Sequence, residues 1–106
     1  MEKILTMMNV IDYVNLILKK KKMTRTEFCR RINEVESKLG DKRTYIENIT
    51  NWLNNKTTIR AVTLLKWEKA LGLMEGTLVH LTKMPQSKEA KEEFKKMQKK
   101  IREVYK

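Results

Sequence analysis

The sequence predicts an all-α fold, on three observations. Only three glycines and one proline interrupt its 106 residues, which leaves few places for the tight reversals of a β architecture. The apolar residues recur at spacings of three and four, the period of one helix face. Polar capping residues stand where these stripes begin, and glycine stands where two of them end. The length suits one ordinary domain with an appended element, not two separate cores.

The first element runs from Asn9 to Lys22, with Ile11, Val14 and Leu18 on one face and Val10 and Ile17 flanking them. Its end at Lys19–Lys22 suits the negative end of the helix dipole, and the four lysines could equally meet phosphates. Residues 1–8 are apolar enough to extend this helix or to pack beside it. The motif T-R-T-E at Thr24 is a capping box, in which the threonine hydroxyl accepts from the Glu27 amide and the Glu27 carboxylate reaches back to the Thr24 amide. The second helix that follows buries Phe28, Ile32, Val35 and Leu39, with Cys29 beside them as a small core residue, and Gly40 supplies a left-handed C-cap.

A charged turn, Asp41 to Arg43, leads to Thr44, which is expected to cap a third helix reaching about Asn54. At 100° per residue, Tyr45, Ile49, Trp52 and Leu53 share one side with Ile46 at its edge, although Tyr45 lies between the faces. The opposite side collects Thr44, Glu47, Asn48, Asn51 and Asn55, more amides than helix propensity would choose. Thr57 and Thr58 lead into a fourth helix with Ile59, Val62, Leu65 and Leu71 inward, stopping at Gly72. A short fifth helix is expected around Glu75–Leu81, and Pro85 closes the compact unit. Residues 1–85 therefore form one domain, and residues 86–106 an amphipathic helix with Ala90, Phe94, Met97, Ile101 and Val104 on a heptad seam. That seam either folds back onto the domain or pairs with a second copy, and self-association is the expected role.

The formal charge of +11 points to a polyanionic partner. No apolar run approaches the length of a bilayer span, and residues 1–18 lack the basic start and small-residue cleavage site of a signal peptide. A cytoplasmic protein without a membrane partner is expected. Cys29 and His80 are the only cysteine and histidine, so no disulfide, metal or other cofactor is expected. No Gly-rich phosphate loop, paired-carboxylate motif or nucleophile arrangement argues for an enzyme. Trp52 and Trp67 fall on apolar faces and are expected in the core.

Two successive helices with a brief turn, the second apolar on one side and amide-rich on the other, describe a helix-turn-helix. Phe28 and Cys29 after Thr24, then Ile49 and Trp52, then L-L-K-W-E-K-A-L-G-L from Leu64 to Leu73, resemble the XRE, or lambda-repressor-like, helix-turn-helix family. The resemblance covers roughly residues 10–82 and implies a five-helix DNA-binding domain. It departs from the family between the capping box and Ile49, where this chain is longer, which implies a longer second helix or a looser turn.

If the third helix enters the major groove, Asn48 and Asn51 are the best base readers, because an asparagine amide can bond N6 and N7 of one adenine. Thr44, Tyr45 and Glu47 are next. Arg25, Lys42, Arg43, Asn55, Lys56 and Arg60 are expected on phosphates. Residues 19–60 hold twelve Lys or Arg against five Asp or Glu, the density that backbone binding by counterion release requires. The expected function is a sequence-specific double-stranded-DNA-binding regulator of repressor type, from a bacterium, phage or plasmid, acting as a homodimer. An accessory protein marking a plasmid origin or transfer site would need the same physics. A module of another class would instead use the basic surface to engage and inhibit an acidic protein.

Overall fold

The computed structural model describes residues 9–55, 59–82 and 84–105. These residues form five α-helices and no strand: α1 Val10–Lys20, α2 Arg25–Leu39, α3 Ile46–Asn55, α4 Ala61–Ala70 and α5 Lys88–Val104, with one 3-10 turn at Val79–Leu81. The expected positions of residues 1–8, Lys56, Thr57 and Thr58 lie outside the described residues.

Helix ends follow the local chemistry. The Asn9 and Thr24 side chains accept from the Asp12 and Glu27 amides, and the Ser87 hydroxyl accepts from the Ala90 amide. The C-termini of α1, α2 and α4 are closed in one way. The amides of Met23, Asp41 and Leu73 donate to the carbonyls of Leu18, Glu36 and Glu68, each over a left-handed residue: Lys22, Gly40 and Gly72. At Lys22 an L-residue with a side chain takes the conformation that glycine adopts at the other two.

Ile11, Val14 and Leu18 of α1, Phe28 and Ile32 of α2, Ile49 and Leu53 of α3, and Leu64 and Trp67 of α4 form one core. At its centre Phe28 meets Trp67 edge to face at 5.1 Å, and Trp52 leans on Trp67 at 5.8 Å. Both tryptophans are core residues, Trp67 fully buried and Trp52 half-buried.

Two acids are buried within this apolar setting, each 2% exposed. The Glu68 carboxylate accepts from the amides of Gly76, Leu78 and Val79 at 3.0, 2.6 and 3.1 Å, so it organises the segment after α4. The short helix expected at Glu75–Leu81 is reduced to the 3-10 turn Val79–Leu81, because Gly76 turns the chain through φ 98° and breaks the helical path. The Glu36 carboxylate accepts from the amide and hydroxyl of Thr44, at 2.9 and 2.6 Å, and from Lys66 Nζ at 3.1 Å.

The heptad seam of α5 turns inward. Phe94 and Ile101 are buried in the shared core, Ala90 and Met97 are half-buried, and only Val104 is exposed. Of the two courses open to the seam, pairing with a second copy or folding back, Phe94 and Ile101 take the second: they complete the core of their own chain, against α2 and α4. Arg102 pairs with Glu75 at 2.6 Å, and the Tyr105 ring lies about 5 Å from the ammonium groups of Lys38 and Lys69. Ile101→Ala is expected to lower the unfolding free energy in urea by about 2–3 kcal/mol, from lost burial plus a cavity at a helix end that can partly relax. An unchanged midpoint would show that α5 packs elsewhere.

Candidate nucleic-acid interface

The sequence of α3 sorts its side chains cleanly. Ile49 and Leu53 are buried, Ile46 and Trp52 half-buried, and Glu47, Asn48, Asn51 and Asn54 exposed. Asn55 ends the helix, and its side chain lies outside the described residues. The exposed amides stand on the face directed away from the core, as the spacing predicts, and those of Asn48 and Asn51 can each donate and accept.

Cations border that face. Arg25, the first residue of α2, donates through Nη1 to Asn54 Oδ1 at 2.7 Å and so ties the start of α2 to the end of α3. Asn54 was not singled out from the sequence, although it lies three residues beyond Asn51 on the same face. Lys42 and Arg43 are exposed on the preceding turn, and the Arg43 guanidinium lies 6.0 Å from the Tyr45 ring. Arg60 is exposed but engaged, donating to Glu93 of α5 at 2.7 Å. Lys56 lies outside the described residues.

One expectation for the start of α3 is corrected. Thr44 does not cap the helix and does not face outward: its hydroxyl and amide both donate to the buried Glu36 carboxylate, which draws the residue in against α2. The first helical bonds run instead from the amides of Asn48 and Ile49 to the carbonyl of Tyr45. Tyr45, placed between the two faces by its spacing, falls on the outer one. It is 62% exposed, immediately ahead of the helix, and remains on the outer surface near Glu47 and Asn48.

The connection between α2 and α3 is six residues, Gly40–Tyr45, longer than the three or four of a compact helix pair. A cleft of about 960 Å³ opens between α2 and this segment, lined among others by Asn33, Arg30, Arg43, Tyr45 and Glu47. Glu36 holds the turn against α2, and Lys66 bridges Glu36 to Asp41, 3.7 Å away. The sequence signal for Glu36 is an acid four residues after Ile32 and three before Leu39, on the buried stripe itself. At the floor of the cleft the buried Cys29 thiol donates to the Thr44 carbonyl at 3.5 Å, and burial pushes its pKa up.

The capping box is half made. Glu27 does not reach back to the Thr24 amide; its carboxylate is taken by Arg30 and by Arg31, at 3.3 Å from the latter. The Arg30 hydrogen bond, with the Arg31 contact behind it, holds the Glu27 carboxyl at about 2 against an ordinary 4.5. Because the folded value is depressed, the pairing contributes fully above pH 4.5 and is lost as pH falls towards 2. A carbon-detected NMR titration should therefore find the Glu27 carboxylate still ionised at pH 3.5. A midpoint near 4.5 would mean that the Arg30 pair does not persist in solution.

The described residues thus define an all-helical protein with an outward amide face bordered by arginines and lysines. Among them there is no helix long and apolar enough to cross a membrane, and no group of three His, Cys, Asp or Glu placed to hold a metal ion. No family model, no curated protein and no solved structure matches the chain.

Proposed function

We propose that this protein is a sequence-specific double-stranded-DNA-binding regulator of repressor type. In this reading α2 and α3 form a helix-turn-helix of the XRE, lambda-repressor-like kind, and α3 enters the major groove. The observation that supports it is the outward placement of Glu47, Asn48 and Asn51 on α3, with Arg25 and Arg43 at its two ends. Asn48 and Asn51 read adenine edges, Glu47 accepts from cytosine or excludes other bases, and Tyr45 contacts a base or sugar at the helix start. Arg25, Lys42 and Arg43 hold phosphates and fix the register. Thr44 supports the turn through Glu36 instead of reading bases. Arg60 reaches a phosphate only by leaving Glu93. A dimer on two half-sites would use a surface other than the buried seam of α5.

Selection of bound duplexes from a random pool defines the site. On that site Asn48→Ala or Asn51→Ala should each cost about 1–3 kcal/mol, roughly 5- to 150-fold in Kd, and almost nothing on random DNA. Equal losses on both duplexes would sink base readout. A pool from which no sequence is enriched would sink it as well.

A further inference from the structure

A second cationic surface lies on α5, turned away from α3. At 100° per residue, a sector of about 80° on this helix holds only Lys88, Lys91, Lys95, Lys99 and Arg102, with Glu92 at its edge. All five are exposed, and among the described residues only Arg102 of the five forms an ion pair, with Glu75. The opposite flank carries Glu93 and Lys100, roughly 150° around the helix from Lys95. Glu93 reaches Arg60 at 2.7 Å, and Lys100 reaches Asp41 at 3.9 Å. Asp41 and Arg60 belong to the segments just before and just after α3, so that flank is the one beside α3. The lysine flank therefore faces elsewhere, and one straight duplex lying along α3 does not meet it.

We propose that this flank of α5 is a second backbone-binding surface for nucleic acid, by which one molecule holds a duplex segment other than the one met by α3. The row from Lys88 to Arg102 extends about 21 Å, close to the axial length of six phosphates on one strand. Its side chains are point charges on flexible stems, suited to phosphate neutralisation and not to base reading. A lipid surface is the poorer partner, because the apolar face that a membrane-binding helix would insert, Phe94 and Ile101, is already buried in the core. This inference rests on the lysine geometry and not on base readout by α3.

A capture assay tests it. A random-sequence duplex is tethered to beads, the full-length protein is added at low salt, and a second, fluorescent duplex is offered. The wild-type protein should capture the second duplex. Lys95→Gln with Lys99→Gln should lower capture about tenfold, while Lys96→Gln with Lys100→Gln, the same charge removed from the other flank, should change it less than about twofold. Equal losses from the two pairs overturn the proposal, as does wild-type protein that stays on the beads but captures nothing. Wild-type protein that instead sediments with phosphatidylserine vesicles, and loses this with Lys95 and Lys99 while capture is unchanged, also overturns it. Should the Asn48 and Asn51 variants prove silent on a selected site while the Lys95–Lys99 pair still lowers capture, base readout falls and the α5 surface stands.

Discussion

Glu68→Ala is expected to lower the unfolding free energy by about 3–5 kcal/mol, a large share of the total for a domain of this size. The carboxylate accepts from three amides, those of Gly76, Leu78 and Val79, at a site closed to water. Its removal leaves three donors without an acceptor and a cavity beside Leu65, and each unmet buried donor costs about 1–3 kcal/mol. Partial entry of water keeps the sum below the simple total. Glu68→Gln keeps one acceptor oxygen but turns an amide NH2 towards backbone donors, so it should fall between the wild type and alanine. Chemical denaturation gives both values. A loss under 1 kcal/mol for Glu68→Ala would mean that the segment 74–79 holds its shape without this acid.

The second large effect concerns DNA affinity and salt. With about five phosphate contacts per chain, log K should fall with log salt at a slope near −4.5, which is roughly 500-fold weaker binding at 200 mM than at 50 mM. In the proposed complex Arg25, Lys42, Arg43 and Lys56 would supply four of those contacts, and Arg60 a fifth after release from Glu93. Lys42→Gln should shallow the slope by about 0.9 on specific and random duplexes alike, since phosphate contacts carry no sequence information. A wild-type slope shallower than −2 would contradict a backbone-dominated interface.

Much of the all-helical fold was legible because burial, capping and glycine all pointed the same way. Thr24 and Gly40 mark the ends of α2 in the structure as in the sequence, and the division of α3 into Ile49 and Leu53 inward, Asn48 and Asn51 outward, follows from helical period alone. What escaped was decided by tertiary partners. Nothing local reveals that Glu36 claims the Thr44 hydroxyl, because the acid lies eight residues away and its burial depends on the packing of α2 against α4. The seam of α5 was ambiguous for a physical reason: Phe94 and Ile101 gain the same burial against their own chain as against a copy. The return of α5 onto α2 and α4 is a long-range contact, and long-range contacts leave no periodic trace. Glu75–Leu81 failed as a helix because only the folded chain gives Gly76 its positive φ.

The tryptophan pair has a practical corollary. Trp52 sits on α3 half in solvent, and its ring lies 5.8 Å from that of Trp67, which is sealed in the interior. The indole at position 52 is thus an optical gauge already written into the chain, whose emission colour and quenching by iodide follow how firmly α3 is seated. Unlabelled protein can therefore display, in a cuvette, whether a surface substitution has merely removed a contact or has unseated the helix that bears it.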